Sequence, residues 1–205
     1  MKILNLYAGI GGNRKLWDNV EVTAVELDPK IAAIYQDFFP DDEVIIEDAH
    51  KYLQDHFKEF DFIWSSPPCP THSIARKNTS VPRGQVPALY PDMNLYEEIL
   101  FLQGYFKGKY CVENVVSWYD PLIKPQKIGR HYFWANFIIR EMGVSHSSHY
   151  GTYPELYERK GFNLSKYNGI DKRKTLRNCV EPELGGLILD CARGNTQKTL
   201  VESIK

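Results

Sequence analysis

The sequence predicts an α/β fold with a mostly parallel sheet. Three observations predict it. Short β-rich runs alternate with segments of helical spacing, the first run ends in the glycine-rich turn AGIGG, and later runs end in residues able to hold a ligand. At 205 residues the chain is long enough to bury a core without disulfides or metals. Its 43% hydrophobic and 25% charged residues are ordinary for a globular domain. No apolar run approaches the roughly 18 residues of a membrane span. The apolar start, Ile3 to Ile10, contains Asn5 and lacks a small-residue cleavage pattern, so a mature cytoplasmic start is expected.

The elements follow in order. Ile3–Tyr7 is an apolar first strand, and Asn13–Trp17 can open a helix after the turn. Val22–Glu26 is a second strand. Pro29 then suits the first turn of a helix whose Ile31, Ile34, Tyr35 and Phe38 recur at helical spacing. Val44–Glu47 is a third strand, and Tyr52, Leu53 and Phe57 mark a short helix. Phe60–Ser65 is a fourth strand, stopped by Pro67 and Pro68. Leu95, Ile99 and Leu102 form a helical face, Tyr110–Glu113 is a fifth strand and His131–Ile139 a sixth. Right-handed crossovers put the C-terminal ends of parallel strands on one edge, where ligands are expected to bind. Ile74–Asp92 has four prolines and glycines and no clear period, as a functional loop would. Residues 143–185 show few clean periods.

Charge is unevenly spread. Residues 1–60 hold six Lys or Arg against twelve Asp or Glu, and residues 126–205 hold thirteen against eight. A polyanion would favour the C-terminal part, where Lys172, Arg173, Lys174 and Arg177 cluster; taken alone, that cluster reads equally as a solvated loop. Cys69, Cys111, Cys179 and Cys191 form no CxxC pair, which fits a reducing compartment and gives no support for a zinc site. No metal is expected.

The strand ends carry the chemistry. AGIGG lets the backbone turn tightly and approach a ligand. Glu26, after the second strand, can accept hydrogen bonds from both hydroxyls of a ribose, and Asp48, after the third, can meet an adenine amino group. Together they describe an adenosine-containing cofactor. The turn is neither the Gly-x-x-x-x-Gly-Lys phosphate loop of ATPases nor the full Gly-x-Gly-x-x-Gly of dinucleotide enzymes. Cys69, between two prolines after the fourth strand, cannot lie inside a central strand and is placed at a site as a nucleophilic thiol. His72 reads as a local hydrogen-bonding residue. Cys111, within a strand, reads as inert packing. Glu113 can act as a general acid on the same edge or be an ordinary strand-end acid.

With LNLYAGIGG, ELD, EDA, PPCPTHS and ENV in this order, the sequence resembles the cytosine-C5 DNA methyltransferases, well over residues 3–140 and weakly at the end. The resemblance implies a class I S-adenosylmethionine (SAM)-dependent, Rossmann-like methyltransferase fold and a double-stranded DNA partner. It implies that Tyr7 packs on the adenine and that Gly9, Gly11 and Gly12 lie near the methionine moiety. By the same match Glu26 holds the ribose, Leu27 lies beside the adenine, Asp48 meets the adenine amino group with Ala49 next to it, and Pro68 borders the cofactor. Cys69 becomes the nucleophile and Glu113 the acid that engages a flipped cytosine, with Asn114 and Val115 shaping its pocket. The Ile74–Asp92 loop, with Arg76, Lys77 and Arg83, resembles the segment that closes over the target strand.

The sequence departs from the family at several points. Asn5 stands for the usual Asp and Pro70 for the usual Gln. In Gln126-Lys127-Ile128-Gly129-Arg130, Arg130 survives as the arginine that contacts the target base, while Ile128 replaces the arginine that braces the acid. That leaves Glu113 with one fewer cationic neighbour, which would either favour its protonated form or impair catalysis. Near the end, Gly194-Asn195-Thr196-Gln197 retains Asn195 as a cofactor contact without the family valine. The expected organisation is a catalytic domain over 1–140, a small target-recognition region over 141–190 and a returning segment over 191–205. So small a region predicts a target of about two or three base pairs, since each good bidentate contact discriminates by only ~1–3 kcal/mol. A monomer of the kind a phage or restriction-modification system encodes is expected. Two alternatives are an RNA (tRNA) acceptor for the same chemistry and a catalytically weak SAM- or DNA-binding protein.

Overall fold

The structure, a computed structural model, describes residues 1–140 and 151–194. Strands β1 (Lys2–Leu6), β2 (Glu21–Val25), β3 (Glu43–Ile45), β4 (Phe62–Ser65) and β5 (Lys109–Val115) are parallel, and β6 (Gln126–Ile128) and β7 (His131–Ala135) complete one sheet in the order β3-β2-β1-β4-β5-β7-β6. β7 runs antiparallel to β5 and to β6. The order reverses between β1 and β4, and open α/β sheets bind ligands at such a switch point.

Alternating side chains serve two apolar layers. Leu4, Leu6, Ile63 and Val112 pack against α2 (Ala49–His56) and α3 (Asn94–Tyr105). Ile3, Phe62, Trp64, Cys111 and Phe133 face Leu184, Ile188 and Leu189 of a C-terminal helix, Pro182–Arg193. The first helix, α1 (Pro29–Phe38), is capped by Asp28, which accepts from the Lys30 amide. It shares a third cluster with Ile10 of the glycine turn and with two further helices, α4 (Tyr153–Lys160) and α5 (Lys172–Asn178). The C-terminal helix is therefore α6.

Several elements differ from the sequence expectation. The helix expected from Asn13 is a single 3-10 turn, Asn13–Leu16. It is held by a buried hydrogen bond from Asn13 Nδ2 to Asn5 Oδ1 (2.7 Å) and by Gly185 of α6, where an added Cβ would lie 2.2 Å from the Asn13 carbonyl oxygen. The strand expected over His131–Ile139 stops at Ala135, because the Asn136 side chain bonds the Tyr110 amide and the Gly108 carbonyl. The Ile74–Asp92 loop contains a π-helical turn, Arg76–Ser80. The weakly periodic stretch over 143–185 contains α4, α5 and the first four residues of α6, and residue 191, the expected start of the returning segment, lies inside α6.

A buried polar network braces the turn region. Arg14 donates to both Asp42 oxygens (2.7 and 3.0 Å), and the Tyr35 hydroxyl donates to Oδ2 (2.8 Å). Removing one partner of a buried pair strands the other charge. Asp42→Ala is therefore expected to lower unfolding free energy in urea by about 3–5 kcal/mol; a loss under about 1 kcal/mol would show that water reaches Arg14 freely.

Candidate active site

The C-terminal ends of β1 to β5 bring the predicted residues to one edge. After β1 the chain turns through positive φ at Tyr7 (54°), Gly9 (56°) and Gly11 (84°). A side chain at Gly11 would strike the Tyr35 and Phe39 rings, and one at Gly12 would strike Cys179 and the Val180 backbone. At Gly9, by contrast, a Cβ would meet nothing within 4 Å, so the turn faces open space there. Glu26 stands beside it. Its Oε2 accepts from the Gly9 amide and its Oε1 from the Asp28 amide, both at 2.9 Å. Leu27 is exposed next to it. Asp48 caps α2, accepting from the Lys51 amide (2.9 Å), and Ala49 behind it is buried. A carboxylate fixed by two amides beside an open glycine turn, with a second acid one strand over, fits the ribose and adenine of SAM.

The Cys69 loop is fastened to the segment following β5. Asn114, almost fully buried, donates to the Pro67 carbonyl (3.0 Å) and accepts from the Val115 amide. Ser73 pairs with Ser117, the Trp118 amide donates to the His72 carbonyl (3.1 Å), and Trp118 Nε1 donates to the Thr71 carbonyl (3.0 Å). His72 is itself buried, with Nδ1 2.6 Å from the Tyr119 hydroxyl, in keeping with a structural histidine. Pro68 is exposed and Cys69 half-buried. Burial, then the nearby Glu113 carboxylate, push the Cys69 thiol up to about 11.

Glu113 is buried on β5, and His131 Nε2 lies 3.7 Å from its Oε1. The antiparallel register sets Phe133 opposite Glu113 and His131 opposite Val115, so the imidazole reaches the carboxylate diagonally. Ile128 is a core residue on β6, only 3% exposed. The acid therefore does have a basic neighbour, supplied by β7 rather than by the position Ile128 occupies. Arg130 is exposed at the β6–β7 turn, where Gly129 takes a positive φ and the Arg130 carbonyl accepts from the Val116 amide beyond β5.

The remaining predicted cations sit on the long loop and on α5. Arg76 donates to the Pro87 carbonyl (2.9 Å), bracing its own loop; Lys77 Nζ stands 5.0 Å from the Trp118 ring centre; Arg83 is exposed. On α5, Lys172 and Arg173 donate to the Ser165 and Gly151 carbonyls, Lys174 and Arg177 are exposed, and Leu176 anchors the helix in the cluster shared with α1. Asn195 lies outside the described residues.

Besides His131, a second residue escaped the sequence reading. Glu98 on α3 is fully buried. Its Oε1 accepts from the Tyr7 hydroxyl (2.5 Å) and meets His50 Nδ1 (3.1 Å), while its Oε2 accepts from the Ser65 hydroxyl (2.5 Å). The signal for it was present. Position 98 falls within the apolar stripe of Leu95, Ile99 and Leu102, where an acid must be paired.

The fold and this edge define a class I methyltransferase architecture. The chain is similar to the Entamoeba histolytica methyltransferase EhMeth, with a TM-score of 0.54 at 12% identity over 97% of this chain and 99% of that one, a likeness of fold. Residues 1–93 match the family model described as C-5 cytosine-specific DNA methylase, so the family resemblance read from the motifs is shown over this stretch. Two other solved structures are similar over smaller parts. A variant of Spodoptera frugiperda DNMT2 is 25% identical over 56% of this chain and 35% of that one, with a TM-score of 0.39. A hypothetical protein of Thermus thermophilus is 17% identical over 65% and 73%, with a TM-score of 0.45. No curated protein sequence matches.

Proposed function

We propose that the chain transfers a methyl group from SAM to C5 of a cytosine flipped out of double-stranded DNA. The observation that carries this reading is the fastening of the Cys69 loop to the strand bearing Glu113, through Asn114 and the Ser73–Ser117 pair. That arrangement holds a thiol and an acid together beside the glycine turn.

SAM, when bound, supplies an electrophilic methyl group. Glu26 and Asp48 hold its adenosine part, with Gly9 leaving room for it. Cys69 sulfur adds to C6 of the cytosine, which makes C5 nucleophilic. Glu113 holds a proton at N3 and so stabilises the adduct. C5 takes the methyl group as the S–CH3 bond breaks and the donor leaves as a neutral thioether; water then takes the C5 proton, the C5=C6 double bond re-forms, and the S–C6 bond breaks to return the Cys69 thiolate. The base must leave the stack because addition at C6 and methylation at C5 approach the ring faces, which neighbouring bases cover in a duplex. Arg76, Lys77, Arg83 and the α5 cations supply phosphate contacts, and Arg130 and Val115 face the base. Most affinity then comes from the backbone and falls steeply with salt.

The test supplies SAM labelled in its methyl group to the protein with unmodified duplex DNA and, separately, tRNA. Label recovered as 5-methylcytosine in DNA supports the proposal. Label in tRNA alone moves the acceptor to RNA, and none in either overturns the enzyme reading. Glu26→Ala is expected to weaken SAM binding by about 10- to 100-fold in calorimetry, the worth of a charged hydrogen-bond pair; unchanged affinity would place the ribose elsewhere.

A further inference from the structure

We infer that Glu98 is a positioning residue of the cofactor site, fixing from one buried carboxylate the three segments that surround the cofactor. The inference rests on the reading of this edge as a SAM site. Each of its partners begins or adjoins one of those segments. Tyr7 is the first residue beyond β1 and opens the turn of Gly9, Gly11 and Gly12. Ser65 ends β4 and leads through two prolines into Cys69. His50 is the second residue of α2, next to Ala49 and the capping Asp48.

The chemistry of the cluster argues for position rather than stability. Glu98 occupies an apolar stripe where a leucine would pack with Leu95, Ile99 and Leu102. A buried carboxylate is costly to dehydrate, and replacing such groups with well-packed apolar ones is often neutral or stabilising. What an apolar side chain cannot do is hold three donors from three different segments at set distances. The two hydroxyl bonds, both 2.5 Å, are at the short, strong end expected of O–H donors to a charged oxygen. Tyr7 must also be kept at a positive φ, which is unusual for a residue with a side chain, and its bond to Glu98 crosses from the turn to α3. His50 is the third partner. Its contact with Glu98, then the nearby Glu97 and Asp48 charges, raise its pKa despite partial burial. Through the Tyr7 bond, the effect of Glu98 on the cofactor runs into the glycine turn.

The experiment measures SAM binding by calorimetry and steady-state methylation on the full chain, with Glu98→Gln, Glu98→Asp, Tyr7→Phe and Ser65→Ala. The amide keeps the shape but presents an NH2 group to a hydroxyl or to His50. Glu98→Gln is expected to raise the Kd and KM for SAM about ten-fold, with kcat at saturating SAM within about three-fold of wild type. Tyr7→Phe and Ser65→Ala, each removing one link, should raise Kd by smaller factors, and Glu98→Asp should recover part of the loss. Unchanged SAM affinity in Glu98→Gln overturns the inference, as does an equal fall in kcat and in kcat/KM with KM unchanged. If Glu98→Gln does not fold, unchanged affinity in both Tyr7→Phe and Ser65→Ala overturns it. A wild-type chain that binds no SAM overturns the cofactor reading itself, an outcome distinct from any result in the variants.

Discussion

Cys69→Ser is expected to lower methyl transfer by about 10⁴-fold or more and to abolish covalent trapping on 5-fluorocytosine DNA, because among the described residues no other group on the ligand edge can both add to C6 and leave again. The other three cysteines are buried, Cys111 in β5, Cys179 against Gly12 and Cys191 in α6. A trapped complex surviving in Cys69→Ser would put the nucleophile elsewhere. The ligand-free thiol should be a poor nucleophile at neutral pH. Burial and the Glu113 charge both favour the protonated form, and its pKa of about 11 leaves little thiolate below pH 8. Alkylation by iodoacetamide should therefore rise by about ten-fold per pH unit between pH 8 and pH 10. A plateau already reached at pH 8 would mean the thiol is activated without substrate. The resting state thus keeps the cysteine in its protonated form.

Much of this site was legible in the residues themselves. The glycine turn was readable because only a few backbone conformations join a strand to so tight a turn, and Gly11 has two aromatic rings where a Cβ would go. Cys69 was readable because prolines on either side bar it from a central strand. Glu26 and Asp48 followed from strand order alone. What could not be read depended on contacts between distant segments. His131 reaches Glu113 only because β7 pairs antiparallel with β5, and an antiparallel edge on a parallel sheet leaves no mark in local periodicity. The three residues of β6 are too few to show alternation. The bond from the Asn114 amide to the Pro67 carbonyl, 47 positions away, likewise leaves no mark in the local sequence. Residues 143–185 show few clean periods because α4 and α5 are short and bury one apolar residue each, Leu156 and Leu176. Their anchoring residues Leu156, Phe162, Leu164 and Leu176 come from helices and from the turns between them, so no single helical period joins them.

Glu113→Gln separates the two duties assigned to this carboxylate, since it should move two measurements in opposite directions. The charge of Glu113 raises the Cys69 thiol, so its removal lowers the thiol pKa toward the ordinary value. At pH 8 the Cys69 alkylation rate should accordingly increase. Methyl transfer should nonetheless fall by about 10²–10⁴-fold, the usual worth of a positioned general acid, because glutamine can donate a hydrogen bond to a base but has no proton to give at N3. A stability effect cannot imitate this pattern: a loosened site would expose the thiol, but Glu113→Gln keeps the volume of the side chain and its place opposite Phe133. His131→Gln is the control. It leaves the Glu113 charge beside the thiol, so alkylation should not accelerate as it does in Glu113→Gln, while any loss of transfer measures how far the imidazole at 3.7 Å orients the carboxylate. If Glu113→Gln leaves methyl transfer within about three-fold of wild type, N3 is protonated by some other group, and Glu113 serves only to hold the thiol in its protonated, resting form.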